Sequence, residues 1–255
     1  MTNADSPKRP IKTAVRVFEL VQIVQDLESA TFTEISEHVD MAESTLHDYL
    51  TALTYLGYFV NEGRQYSLSL RFLDHGIAAR DTFSICSKSR DTLKQLADES
   101  DAAVWLTVEQ GGKVVYLAQE LGENSIETHE RLGKHEFMNC LASGKVMLAF
   151  SSEEHIANVV ETHGLPRETP ESITSRDDLQ KELAEIREHG YAVNHNETAQ
   201  GGSAVAAPIV VDDDVRGAIA IAAPHARIEN DEYRQQIIEL VTTGSNEIEL
   251  RLAYE

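Results

Sequence analysis

Three stretches with the hydrophobic repeat of a helix and two with that of a strand are packed between Thr13 and Leu68, and few folds accommodate that series. In residues 13–27, Ala14, Val17, Phe18, Val21, Val24 and Leu27 recur at helical spacing. Thr33 is placed to cap a short second helix running to Val39, with Glu34 in its first turn where the helix dipole favours an acid. After a break at Asp40-Met41, a third helix is expected from about Ala42 to Leu56. Its Leu46, Leu50, Leu53 and Leu56 share a face, and Gly57 ends it. Strand-like runs at residues 58–61 and 65–68 are joined by Glu62-Gly63-Arg64. Three helices followed by a β-hairpin in so short a span describe a winged helix-turn-helix.

In such a unit the helix that enters the major groove must turn short polar side chains outward while its other face packs inward. Ser44, Thr45, His47 and Asp48 are left outward when Leu46 and Leu50 point in. Hydroxyls bond phosphates or base edges, and a carboxylate such as Asp48 accepts from a cytosine amino group. Lys8, Arg9, Lys12 and Arg16, with Thr13 among them, form an acid-free basic entry to the first helix, and Arg64 sits at the wing tip. Contacts to phosphates from such arms and wings set register on a duplex.

Composition works against indiscriminate binding of nucleic acid. The chain has 22 Lys+Arg and 43 Asp+Glu, a formal net charge of −21. The acid is spread: residues 1–75 hold 6 basic and 11 acidic side chains, and residues 76–255 hold 16 and 32. Only 8 of the basic residues are Lys. That surface suits a high-salt cytoplasm, where the Debye length near 1 M is about 3 Å. Counterion release shrinks there, so binding to DNA is expected to rest on short-range contacts and dimer geometry. A hydrophobic share of 42% is enough for real cores. The longest nearly uncharged apolar stretch, residues 217–224, is far shorter than the roughly 18 residues of a membrane span. Residues 1–10 are polar and show no secretory pattern, so a cytoplasmic location is expected. Cys86 and Cys140 make neither a disulfide framework nor a CxxC ribbon, and read as buried or half-buried thiols.

Beyond Leu70 the pattern changes. A helix-like linker over residues 70–80 and a helix over 83–100 lead into strand-like runs at 103–109, 113–120 and 125–132. Residues 139–150 read as one helix, and Ser151-x-x-Glu154 as a capping box opening the next. A charged helix at 175–189 ends at Gly190. Strands at 191–196, 204–211 and 216–222 follow, and Asn230 caps a last helix. Helices mixed with adjacent hairpins indicate an α+β domain on an antiparallel sheet.

At this point the sequence resembles the IclR family of transcriptional regulators over about residues 11–250. Ser44-Thr45-Leu46-His47-x-x-Leu50-x-x-Leu53-x-x-x-Gly57-Tyr58 and Tyr66-Ser67-Leu68-x-Leu70 match in the N-terminal part. Ala142-Ser143-Gly144-Lys145-Val146-Met147-Leu148-Ala149, Gly190-Tyr191-Ala192-Val193 and Gly201-Gly202-Ser203-Ala204-Val205-Ala206-Ala207-Pro208 match, in order, in the C-terminal part. The resemblance implies a winged helix-turn-helix over residues 1–69, a linker helix over 70–82 and a GAF-like effector-binding domain over 83–255. It also implies a homodimer or tetramer on double-stranded operator DNA, answering to a small molecule that is often a carboxylate. Many members have Arg where Asp48 stands, and Ser at one or both positions matching Ala220 and Ala222 in the ligand-facing last strand. Here that wall lacks both hydroxyls.

Chemistry places the effector at the start of the helix near Ser143 and Gly144. Small side chains there let an anion approach backbone N–H groups at the positive end of the dipole. The loop 194–203 brings Asn194, Asn196, Gln200, Gly202, Ser203 and then Ala204, with polar groups for hydroxyl recognition. Phe137 and Trp105 are candidates for an apolar wall, while Lys145 is expected to cap or salt-bridge. A sugar acid or other small carboxylate of carbon catabolism is the expected signal. Ser143-Gly144-Lys145 lacks the remaining P-loop residues, and no G-x-S-x-G or HExxH occurs. His129, His135, Cys140 and His195 are the candidate zinc ligands, but their spacing is irregular; no metal, cofactor or enzymatic activity is expected. The competing reading is a small-molecule sensor or enzyme on the GAF-like fold without DNA binding, which the acidity favours. Substitution of Thr45 and Arg16 discriminates the two.

Overall fold

Thr31, not Thr33, caps the second helix. Its hydroxyl accepts from the Glu34 amide, and the Glu34 carboxylate reaches back to the Thr31 amide at 2.7 Å. The shift arises because residues 30–31 extend to pair with the wing, a contact between distant segments that local sequence does not announce. The computed structural model describes residues 10–125 and 130–254. Its contacts divide the chain into two compact units, Met1–Ala79 and Arg80–Glu255.

The first unit runs α1 (Lys12–Asp26), β1 (Ala30–Thr31), α2 (Phe32–Ser36), α3 (Glu43–Tyr55), β2 (Phe59–Glu62), β3 (Gln65–Leu68) and α4 (Arg71–Arg80). The strands form an antiparallel sheet in the order β1-β3-β2. The hairpin turn is only Gly63-Arg64, since Glu62 already pairs with Gln65. Leu20, Val24, Ile35, Leu46, Leu50, Leu53 and Phe59 fill the core. Leu56 and Phe18, expected on inward faces, are exposed. The start of α4 is pinned to its own unit: the Tyr58 ring meets Phe72, its hydroxyl lies 3.0 Å from His75 Nε2, and Arg71 donates to the Leu56 carbonyl at 2.5 Å. The expected linker helix over 70–82 is thus a helix over Arg71–Arg80 whose first turns belong to the winged unit.

The second unit runs α5 (Ser84–Ser100), β4 (Ala103–Gln110), β5 (Lys113–Leu121), β6 (His135–Phe137), a 3-10 turn (Met138–Cys140), α6 (Ala142–Ala149), α7 (Glu153–His163), α8 (Arg176–His189), β7 (Ala192–His195), β8 (Gly202–Val211), β9 (Asp214–Pro224), α9 (His225–Ile228) and α10 (Asp231–Ala253). Its strands make one antiparallel sheet, β6-β5-β4-β9-β8-β7. One face, with Val104, Leu106, Val205, Ile209, Ile219 and Ile221, packs on α5 and α10. The other, with Trp105, Tyr116, Ala206 and Ala220, packs on α6, α7 and α8. The α+β class read from the sequence is the observed one.

Three local expectations are corrected. Residues 126–129 of the expected strand at 125–132 lie outside the described residues, and the strand in that region is β6. The helix expected over 139–150 is broken by Leu141, which is extended at φ −113° and ψ 140°. Beside the break the Asn139 side-chain amide donates to the Pro166 and Ile173 carbonyls at 3.0 and 2.8 Å, and the Cys140 carbonyl accepts from Asn194 and Thr198. The cap of α7 is Ser152, whose hydroxyl accepts from the His155 amide, while Ser151 bonds back to Met147.

Candidate functional site

Helix α3 presents a continuous solvent face. Ser44, then His47 and Asp48, then Thr51 and then Tyr55 succeed one another turn by turn and are exposed, Tyr55 at 88%. Thr45, expected beside them, is half-buried. Sequence reasoning missed Thr51 and Tyr55, although extending the 44/47/48 spacing by a turn reaches both. His47 Nδ1 and Asp48 Oδ1 are 4.0 Å apart. No side chain caps α3 at Ala42 or α1 at Ile11, though the Thr45 amide of α3 donates to the Ala42 carbonyl at 2.9 Å. Lys12 and Thr13 are exposed on the first turn of α1, Arg16 is half-buried one turn on, and Arg64 is exposed in the wing turn. Lys8 and Arg9 lie outside the described residues.

In the second unit, strand register sorts the expected effector residues by face. Ala103, Ala222, Ala204 and Asn194 form one row across β4, β9, β8 and β7, and Trp105, Ala220, Ala206 and Ala192 form the next. These rows face α6, and Trp105 meets Tyr116 edge-on with centroids 4.9 Å apart. Burial pushes the Tyr116 hydroxyl well above its usual range, with Glu130 and Glu136 adding to the shift. Ser203 alternates with Ala204 and so shares the opposite face with Val205 and Ala207, where its hydroxyl lies 2.8 Å from His225 Nδ1. It is therefore not a wall of this site, because the strand begins at Gly202 and its parity turns Ser203 away.

The extended Leu141 gives α6 a fresh N-terminus that no side chain caps. Ser143 is buried in that first turn. Gly144 lies against the Met138 backbone so closely that any Cβ would collide with it. Its smallness serves this packing rather than an open approach for ligand. Asn194, expected to read a ligand hydroxyl, is spent inside the protein. Its amide donates to the Cys140 carbonyl at 2.6 Å and to Thr198 Oγ1 at 2.9 Å, and its Oδ1 accepts from the Glu197 amide at 3.0 Å. Asn196 Oδ1 accepts from the Gly201 amide, Gly202 is half-buried and Gln200 is exposed. Phe137 is half-buried, with Lys113 Nζ 4.4 Å over its ring and His163 at its side.

Lys145 is 1% exposed and salt-bridges: its Nζ lies 2.7 Å from Glu182 Oε1, 2.7 Å from Glu197 Oε1 and 2.9 Å from the Val193 carbonyl. Sequence reasoning missed both carboxylates, which stand 37 and 52 positions away. Burial pushes the Glu197 carboxyl above the ordinary carboxylate range despite Lys145. Burial, then the charge of Lys145, holds the His195 imidazole below its usual value. Cys140 is buried and Cys86 half-buried, and burial raises both thiols. Among the described residues no three His, Cys, Asp or Glu side chains converge to hold a metal; His129 lies outside them. No helix among the described residues is long and apolar enough to cross a membrane.

Residues 13–62 match the IclR helix-turn-helix domain, and residues 77–250 match the family described as bacterial transcriptional regulator IclR C-terminal. The chain is 28% identical over 255 residues to the probable HTH-type transcriptional regulator ArcR of Halobacterium salinarum, covering 98% of this chain and 97% of that protein. It is 26% identical to the HTH-type transcriptional regulator KdgR of Escherichia coli, covering 100% of this chain and 98% of the relative. The crystal structure of the Thermotoga maritima IclR superposes with a TM-score of 0.80 at 26% identity, over 95% of this chain and 99% of that one. With both of its units matched, the winged one and the one built on the six-stranded sheet, the chain belongs to the IclR family of DNA-binding transcriptional regulators.

Proposed function

We propose that this protein is a homo-oligomeric, cytoplasmic regulator that reads operator DNA with α3 and changes its grip when a small carboxylate binds at α6. One observation carries the reading: Ser44, His47 and Asp48 stand in solvent on one face of α3 while Leu46, Leu50 and Leu53 fill the core behind them. Lys12, Thr13, Arg16 and Arg64 are the basic and hydroxyl partners for phosphates, joined by Thr51 and Tyr55. The ligand's carboxylate lies at the uncapped first turn of α6, beside Ser143 and the alanine rows that include Ala204, Ala220 and Ala222. A crystal structure of an IclR homolog from Microbacterium hydrocarbonoxydans, 18% identical, is complexed with 4-hydroxybenzoate, a small carboxylate. Sugar acids remain the favoured class here, as signals of carbon catabolism. The family relatives are regulators and not enzymes, which supports a non-enzymatic role.

In a gel shift at molar KCl with DNA from upstream of its own gene, a complex that survives excess unrelated duplex is expected. Its absence, with and without small acids, favours the sensor reading without DNA contact. The acidic surface carries a second expectation, a shallower salt slope than that of a basic homologue.

The oligomer is supported by apolar side chains left in solvent on the winged unit. Ile11, Val15 and Phe18 line one side of α1, with Phe18 at 67% exposure, and Leu70, Leu73 and Ile77 follow helical spacing along α4. A second copy of the chain is the partner that covers them. Replacing Phe18 and Leu73 by Asp is expected to convert the dimer to monomers in sedimentation at micromolar concentration. An unchanged mass would place the interface elsewhere.

A further inference from the structure

The cluster around Lys145 joins α6, α8 and the β7–β8 connection, and holds one ammonium against two carboxylates. Lys145 spends its three donors on Glu182, Glu197 and the Val193 carbonyl. The second oxygen of Glu197, Oε2, is buried with no hydrogen-bond partner, on a side chain only 7% exposed. A buried acceptor left unmade costs about 1–3 kcal/mol, more when it is charged.

The backbone that carries this side chain is held on both sides. The Glu197 amide donates to Asn194, and its carbonyl accepts from Ser172 Oγ at 2.7 Å and Thr169 Oγ1 at 3.2 Å. Asn194 and Thr198 both grip the Cys140 carbonyl, two residues before α6 begins. The orphan oxygen therefore belongs to a segment fastened to the foot of the helix whose first turn is uncapped. An anionic ligand arriving there meets a buried cluster with one negative charge in excess. A neutral Glu197 removes that excess and turns the orphan acceptor into an O–H donor.

We propose that Glu197 couples effector binding to proton uptake: a carboxylate at the α6 N-terminus binds together with one proton from solvent, which lands on Glu197 Oε2 and is donated to the ligand oxygen. The inference rests on the effector reading above. No covalent bond breaks; the complex gains one anion and one proton.

Among the groups packed around it, Glu197 is the one with a buried, unpartnered oxygen. Lys145 on α6 lies 2.7 Å from one oxygen of each of the two carboxylates. Glu182 on α8 shares that ammonium but is partly open to solvent. His195 on β7 gives Glu197 Oε1 its amide at 3.3 Å, and desolvation and Lys145 lower the value of its ring, with His225 on α9 and Arg234 on α10 acting in the same direction and Glu182 against it. The Cys140 thiol is held neutral by burial. Burial already lifts the Glu197 carboxyl in the free protein, and a bound anion lifts it further. Between those two values binding takes up a proton, so affinity falls as pH rises, by up to about tenfold per unit.

Isothermal titration of the full chain with pyruvate, gluconate and benzoate, from pH 6 to 8.5 in buffers of different ionisation enthalpy, tests this. An acid that binds is expected to take up protons, to a limit of one, within that range. Glu197→Gln keeps an oxygen for Lys145 and puts an N–H donor where the proton would sit. It is expected to bind with no proton uptake, and at pH 8 more tightly than the wild type. Binding to the wild type with no proton uptake overturns the inference while leaving the effector reading intact, as does a Gln variant that keeps the wild-type pH dependence. No binding by any of the three acids at any pH overturns both. Should the variant fail to fold, as read from the emission of Trp105, the wild-type proton count decides alone.

Discussion

Lys145→Met is expected to destabilise the second unit by about 3–5 kcal/mol, the range seen when one partner of a buried ion cluster is removed. The Met side chain fills similar space but leaves Glu197 and Glu182 facing each other without a cation. The loss should depend on pH. Burial raises the folded-state value of Glu197, so its stabilising form is the protonated one, present at low pH and lost as pH rises through that value. Without Lys145 that value rises further, and the deficit should be smaller at pH 5 than at pH 8. Trp105, the single tryptophan of the chain, is buried in β4 and reports the unfolding of this unit in urea. Lys181→Met is the control, since Lys181 and Asp178 pair in solvent at 73% and 64% exposure and such pairs are worth about 0–1 kcal/mol. Equal losses for the two variants would remove the cluster from the account.

Asp48→Ala is expected to relax operator choice at one base pair, by about 1–3 kcal/mol of discrimination, with little change in affinity for unrelated DNA. Asp48 lies outward on α3 and makes no contact with the core, so the substitution should leave folding unchanged. The direction separates a base contact from a phosphate contact. Removing a carboxylate from a mere docking surface would strengthen binding to every sequence by relief of repulsion. Competition binding against a set of single-substituted operators reads the difference, and a uniform gain in affinity would argue that Asp48 reads no base.

The winged unit was legible because its information is local. Leu46, Leu50 and Leu53 define the inward face of α3 by spacing alone, and the residues between them must then face out. The second unit was legible as architecture but not as a site. The break at Leu141 lies among contacts to carbonyls 27 and 34 residues from Asn139, which no window of sequence contains. Ser203, expected in the loop 194–203, lies inside β8, and the sequence does not show which way it faces because β8 is apolar on both sides. Ala204 and Ala206 alternate with Val205, Ala207 and Ile209, so periodicity gives the strand but not which face meets α6. Lys145 was read as a capping or salt-bridging group, and its burial became visible only once its carboxylates were brought together by α8 and the 194–198 segment. Asn194 shows the converse: its polarity suggested ligand recognition, and the fold uses it to hold Glu197 and Cys140.

Fluorescence anisotropy of the gene's own upstream DNA at molar KCl measures directly the linkage between acid binding and operator binding. Adding an acid shown by titration to bind the protein should change the operator Kd by about 5–150-fold, while Kd for unrelated duplex stays fixed. An operator affinity that is specific yet identical with the acid site full and empty would contradict it.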